Sequence, residues 1–90
     1  EESVKTTFFG ICDNIEEIDA IISNNLKGWN ISRLSKVTVS ILRVSVYEMK
    51  YLELPPAISI NEAVELAKEY AEDGASSYIN GVLNNIKNGL

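Results

Sequence analysis

The feature that most constrains this chain is a row of apolar side chains near its start. Val4, Phe8, Ile11, Ile15, Ile18, Ile22 and Leu26 follow one another in steps of three or four residues. Such steps keep one side of an α-helix apolar, because the helix turns every 3.6 residues; a strand would need steps of two. Phe9, Cys12 and Ile21 lie beside the row and widen it. A stripe this broad is more than one neighbouring helix can cover, so the segment belongs in a bundle. The pattern predicts one helix from about Ser3, as N-cap, to Leu26, with Gly28 closing it and Lys27 at the negative end of its dipole.

The remaining segments are also read as helical. Trp29 to Lys36 reads as a junction with one short helical turn, capped by Asn30 or Ser32 and anchored by Ile31 and Leu34. Val37 to Leu54 contains strand formers, but Ile41-Leu42 and Val46-Tyr47 break the alternation a strand requires. Val37, Ile41, Val44 and Glu48 form one helical row and Leu42, Val46 and Met49 another, as expected of a buried central helix. Pro55-Pro56 ends it, and Ser59-Ile60-Asn61-Glu62 has the form of a capping box that starts the next helix. Glu72-Asp73-Gly74 breaks that helix, and Asp73 is placed to cap a last one carrying Tyr78, Ile79, Val82, Leu83 and Ile86. Gly81 falls inside this last helix, where it costs about 1 kcal/mol against alanine and is tolerated best where another helix crosses closely. The expected fold is all-α: one domain over residues 1–90, an antiparallel helical bundle of four main helices plus one short helix.

Composition narrows the function. The chain has 90 residues, 46% apolar and 23% charged, with no apolar run long enough to span a bilayer, so no membrane helix is expected. Cys12 is the only cysteine, which suits a reducing compartment such as the cytoplasm and an apolar packing role. Histidine is absent, which removes the commonest general base and metal ligand. Together with the lack of a glycine-rich phosphate loop, this leads us to expect no catalytic residue, no metal and no cofactor. Glu62, Glu65, Glu69 and Glu72 share one helical side, which reads as a solvated face rather than a paired-carboxylate centre. Glu48 sits on an otherwise apolar helix and must bond a neighbouring helix, the backbone or a partner. The net charge of −5 is uneven: Lys27, Arg33, Lys36, Arg43 and Lys50 make residues 26–50 basic, and the flanks are acidic.

Several blocks resemble one known family. Arg33-Leu-Ser-Lys-Val, followed by Ile41-Leu-Arg-Val-Ser-Val-Tyr-Glu48, is similar to the central helix of the bacterial NusB family of transcription antitermination factors. Ile60-Asn-Glu-Ala-Val-Glu-Leu-Ala-Lys68 resembles the next helix of that family and Ile79-Asn-Gly-Val-Leu83 the last. The blocks keep the family's order and spacing from about Ser3 to Lys87. A related domain leads a bacterial ribosomal RNA cytosine methyltransferase, and a purely structural helical interaction module is a further alternative.

The resemblance implies a non-catalytic bundle that binds boxA-type single-stranded RNA together with a small-subunit ribosomal protein, in the transcription elongation complex of ribosomal RNA operons. It places Tyr70 and Tyr78 where the family has aromatic residues near RNA, and Asp73, Gly74, Ser76 and Ser77 in the RNA-contacting loop. Ala71 and Ser77 depart from the glycine and the basic residue usual there. Arg43 matches a family arginine near both partners. The ribosomal-protein contact falls around Ser32, Lys36 and Thr38, where the family carries acidic residues at 32 and 38. Tyr70 and Tyr78 have the spacing of core residues as well. Residue 4 onward resembles the family's third helix, so the chain is expected to be a fragment without the basic opening helices, to bind RNA weakly alone, and to form a homodimer through residues 4–22.

Overall fold

Asparagine, not glycine, shapes the first third of the fold. The computed structural model describes residues 2–26 and 30–90, with side chains from Lys5 onward. Its helices are α1 (Glu2–Asp13), α2 (Ile15–Asn24), α3 (Lys36–Lys50), α4 (Pro56–Tyr70) and α5 (Ala75–Gly89), with a 3-10 turn, η1 (Ile31–Arg33), before α3. The expected single helix from Ser3 to Leu26 is therefore two. At the break the Asn14 side chain donates to the Gly10 carbonyl at 2.8 Å, and the Asn14 amide turns to the Ile11 carbonyl at 3.1 Å. A short amide side chain competes with the backbone for such carbonyls, and that competition ends a helix. Asn25 repeats the device on the Ile21 carbonyl at 2.8 Å and closes α2. Ser3 lies inside α1 rather than ahead of it. The roles expected of Lys27, Gly28 and Trp29, and the side chain of Val4, lie outside the described residues.

α3 is the central helix, packed against each of the other four. Leu42 and Val46 on α3, Ile18 and Ile22 on α2, and Ile79 and Leu83 on α5 are fully excluded from solvent. The helix starts where Ser35 accepts from the Thr38 amide at 3.1 Å, and η1 starts where Asn30 accepts from the Ser32 amide at 3.0 Å. Side-chain N-caps of this kind contribute about 1 kcal/mol each. Of the two cap candidates for the short turn, the structure uses Asn30.

α4 begins at Pro56, where the fixed proline φ suits the first helical position. Ser59 is consequently not a cap but a buried residue within α4. It donates to Glu48 Oε1 at 2.9 Å and lies 2.8 Å from the Ser45 hydroxyl, which is left to donate to it. Glu48 thus bonds a neighbouring helix, and a chain of three polar side chains joins α3 to α4. Asp73 does not cap α5 either: Gly74 takes that place with φ +88°. Gly81 has open space where a Cβ would stand, so no helix crosses closely there. The close approach is at Gly10, where a Cβ would overlap the Tyr47 phenol; α1 reaches α3 because residue 10 has no side chain.

The first stripe is covered unevenly. Ile18 and Ile22 are buried and Ile11 and Ile15 half-buried, whereas Phe8 and Phe9 are 60% and 59% exposed. The two phenylalanine rings meet edge to face at 5.6 Å.

Burial pushes the Glu48 carboxyl above its ordinary value, the Ser59 hydrogen bond opposes the shift, and Glu62 adds to it. A carboxyl raised on folding favours the fold while it is protonated, and that contribution is lost as pH rises through the raised value. Glu48→Gln keeps an acceptor for Ser59 and removes the charge. Thermal unfolding should show this variant more stable than the parent at about pH 7, with the difference shrinking toward about pH 4. A constant difference across that range would contradict the assignment.

Candidate nucleic-acid interface

The turn between α4 and α5 is built by backbone geometry. Ala71 leaves the helix in an extended conformation, Gly74 supplies the left-handed φ, and the Ala75 amide closes the turn on the Glu72 carbonyl at 3.0 Å. Residues other than glycine rarely adopt that φ, so Gly74 fixes the direction in which α5 departs. One side chain then ties the turn to the start of α3. The Ser35 hydroxyl that caps α3 also reaches Glu72 Oε1 at 3.1 Å.

A cleft of about 270 Å³ lies between this turn and η1, lined by Arg33, Leu34, Thr38, Glu72, Asp73, Gly74, Ala75 and Tyr78. Tyr78 is half-buried, its hydroxyl is buried without a hydrogen-bond partner among the described residues, and burial raises its pKa. Tyr70, in contrast, is 64% exposed and stands outside the cleft. The two tyrosines therefore resolve differently: Tyr70 is a free aromatic surface, and Tyr78 is a wall. Ser76 and Ser77 occupy the first turn of α5 without lining the cleft.

A second groove, of about 420 Å³, brings Ser32, Lys36 and Arg43 together with Ile31, Leu34, Val39 and Ser40. Thr38 is not among them. It is only 2% exposed, because the turn of α3 that follows the cap points it inward, so a surface contact expected at this position has no side chain to use. Arg43 grips Asp19 of α2 with two hydrogen bonds, Nε to Oδ1 and Nη2 to Oδ2, both 2.8 Å. That hydrogen-bonded pairing raises the Arg43 pKa. The residue expected to meet partners is thus first a clamp between α2 and α3 that also lines the groove.

Two participants were not singled out as site residues by sequence reasoning, Arg33 and Asp19. Both are charged residues on short helical stretches, and only the tertiary fold brings Arg33 to the α4–α5 turn and Asp19 to Arg43. The acidic row Glu62, Glu65, Glu69 is solvent-exposed, with Lys68 3.3 Å from Glu65, and forms an ordinary polar face. Among the described residues no three metal-binding side chains cluster, and no helix is long and apolar enough to cross a membrane.

These features define an all-helical bundle with clefts at its surface between η1, α3 and the α4–α5 turn. The NusB family profile matches residues 1–88. The transcription antitermination protein NusB of Listeria monocytogenes is 55% identical over 78 residues, covering 86% of this chain and 61% of the relative. That of Bacillus mycoides is 50% identical over 90 residues, covering 99% and 69%. Among solved structures, Thermotoga maritima NusB superposes with a TM-score of 0.92 at 34% identity, over 97% of this chain and 62% of the other. A chain from the crystal structure of a plectonemic RNA supercoil gives 0.90 at 38% identity, over 98% and 64%. The chain belongs to the NusB family and spans about 61% of the length of the Listeria relative.

The Arg43–Asp19 clamp predicts a coupled loss. Arg43→Ala and Asp19→Ala should each cost about 1 kcal/mol in urea unfolding, since the pair is partly exposed. The double variant should cost about as much as either single one. Fully additive losses would show that the two side chains do not act as a pair.

Proposed function

We propose that this chain is the RNA- and protein-binding bundle of a non-catalytic transcription antitermination factor. Its RNA ligand is a boxA-type single strand, its protein partner a small-subunit ribosomal protein, and its setting the cytoplasmic transcription elongation complex. The observation that carries this reading is the α4–α5 turn. It sets an exposed aromatic, Tyr70, beside a cleft walled by Tyr78 and closed by the start of α3. Exposed aromatic side chains stack on unpaired bases, and this is how single-stranded RNA is held by many folds. The names of the relatives support the reading, as does the structural relative that comes from the crystal structure of a plectonemic RNA supercoil. The neighbouring groove of Ser32, Lys36 and Arg43 is the place we assign to the protein partner.

Phosphate neutralisation supplies most RNA affinity, and this chain carries a net charge of −5. It should bind a labelled boxA-type strand weakly alone and more tightly with the ribosomal protein present. In fluorescence anisotropy, Tyr70→Ala should weaken the ternary complex about tenfold, the loss of one stacked base. Tight binding by the isolated chain, or no binding with the ribosomal protein present, would overturn the proposal.

The open end of α1 suits a second copy of the chain. Lys5 and Asp13 stand symmetrically about Phe9 on the exposed face, so in an antiparallel pair each Lys5 meets the second copy's Asp13 while the phenylalanines cover one another. Sedimentation should give a dimer at micromolar concentration, and a monomer for Phe8→Ser/Phe9→Ser. A monomeric parent would contradict it.

A further inference from the structure

We propose that the cleft between η1 and the α4–α5 turn holds a single unstacked nucleobase, and that its chemistry selects guanine. This rests on the RNA-binding reading and assigns one subsite within it.

The charges of the cleft argue against a phosphate. One cation, Arg33, stands with two carboxylates, Glu72 and Asp73, so a phosphate would meet more repulsion than attraction. The same set of groups suits a base, which carries donors and acceptors without net charge. Glu72 is already engaged by Ser35. The side chains of Arg33 and Asp73 have no hydrogen-bond or ion-pair partner among the described residues, and they reach the cleft from different elements. Tyr78 contributes ring surface, since its hydroxyl is buried, and Leu34 and Ala75 complete an apolar lining. At about 270 Å³ the space is below that of a drug-sized ligand site and suits one flat ring system.

The hydrogen-bond inventory then distinguishes the bases. A carboxylate offers two acceptor oxygens and no donor, and a guanidinium offers donors only. Guanine alone among the four RNA bases presents two adjacent donors, N1–H and N2–H2, for the first and two adjacent acceptors, O6 and N7, for the second. Cytosine and adenine each offer a carboxylate a single amino group, and uracil offers one N–H between two acceptors. Asp73 and Arg33 therefore read guanine from two edges while Tyr78 covers a face.

Titration of the 15N-labelled chain with mononucleotides tests this, because the phosphate is constant and only the base varies. Guanosine monophosphate should shift the amides of residues 73–78 and the Arg33 Nε signal at millimolar concentration. Inosine monophosphate, which lacks the N2 amino group, and cytidine monophosphate should bind about tenfold more weakly. Inorganic phosphate should leave these signals in place. Asp73→Asn should weaken guanosine monophosphate about tenfold although it removes a negative charge. Arg33→Gln should also weaken it. Tighter binding by Asp73→Asn would mark a phosphate site, and equal binding of all the nucleotides, or none, would equally overturn the proposal. Loss of the broader reading is a separate result: there the boxA-type strand fails to bind with the ribosomal protein present, whatever the mononucleotides do.

Discussion

The packing of every other helix against α3 is the constraint from which the rest of the structure follows. Eight of its fifteen residues are buried, from Thr38 to Met49, and each of the other helices packs on it. A helix in that position cannot shift without opening every interface at once, and each fully buried aliphatic side chain contributes roughly 1.5–3 kcal/mol. Its polar residues are used in the same sense. Ser45 and Glu48 bond Ser59 of α4, Arg43 clamps Asp19 of α2, and Ser35, at its N-terminus, holds Glu72 of the turn before α5. The cleft is thus an extension of the core. One of its walls begins α3, and the other is hydrogen-bonded to that beginning.

Much of this fold was legible because apolar periodicity is a local signal that burial enforces. The rows through Ile41, Val44, Leu42 and Val46 identified the central helix even though their β-branched residues favour strands, since their spacing follows the helical repeat and breaks the alternation of a half-buried strand. What escaped were features decided by single side-chain hydrogen bonds. Asn14 sits in an unbroken stripe, and nothing in the spacing says that its amide will take the Gly10 carbonyl. Ser59 had the sequence of a cap, but proline at the first helical position set the start of α4 at Pro56, ahead of the serine, and left the serine to the core. The helical glycines were hard to read for a related reason. A helical glycine signals either close approach or mere tolerance, and only the packing shows that Gly10 is the first and Gly81 the second.

The candidate site was legible to a smaller extent. Tyr70, Asp73, Gly74 and Tyr78 are close in sequence, and the turn that unites them can be read from Glu72-Asp73-Gly74. Arg33 lies about forty residues earlier and enters the cleft only because α3 and its cap fold back on the turn. Tyr70 and Tyr78 have equivalent helical spacing, yet one ends α4 in solvent and the other faces inward from α5. Which of them is free to stack depends on where α4 stops, and the Ala71 backbone decides that.

The central claim is that the surface joining η1 to the α4–α5 turn is where RNA is held. The most direct test is the footprint of a boxA-type strand on the chain in complex with the ribosomal protein, read residue by residue by amide hydrogen exchange. The account predicts slowed exchange at residues 71–78 and 31–35, and no change along the exposed glutamate face of α4. Protection of the α4 face, with the turn left as in the free chain, would contradict it.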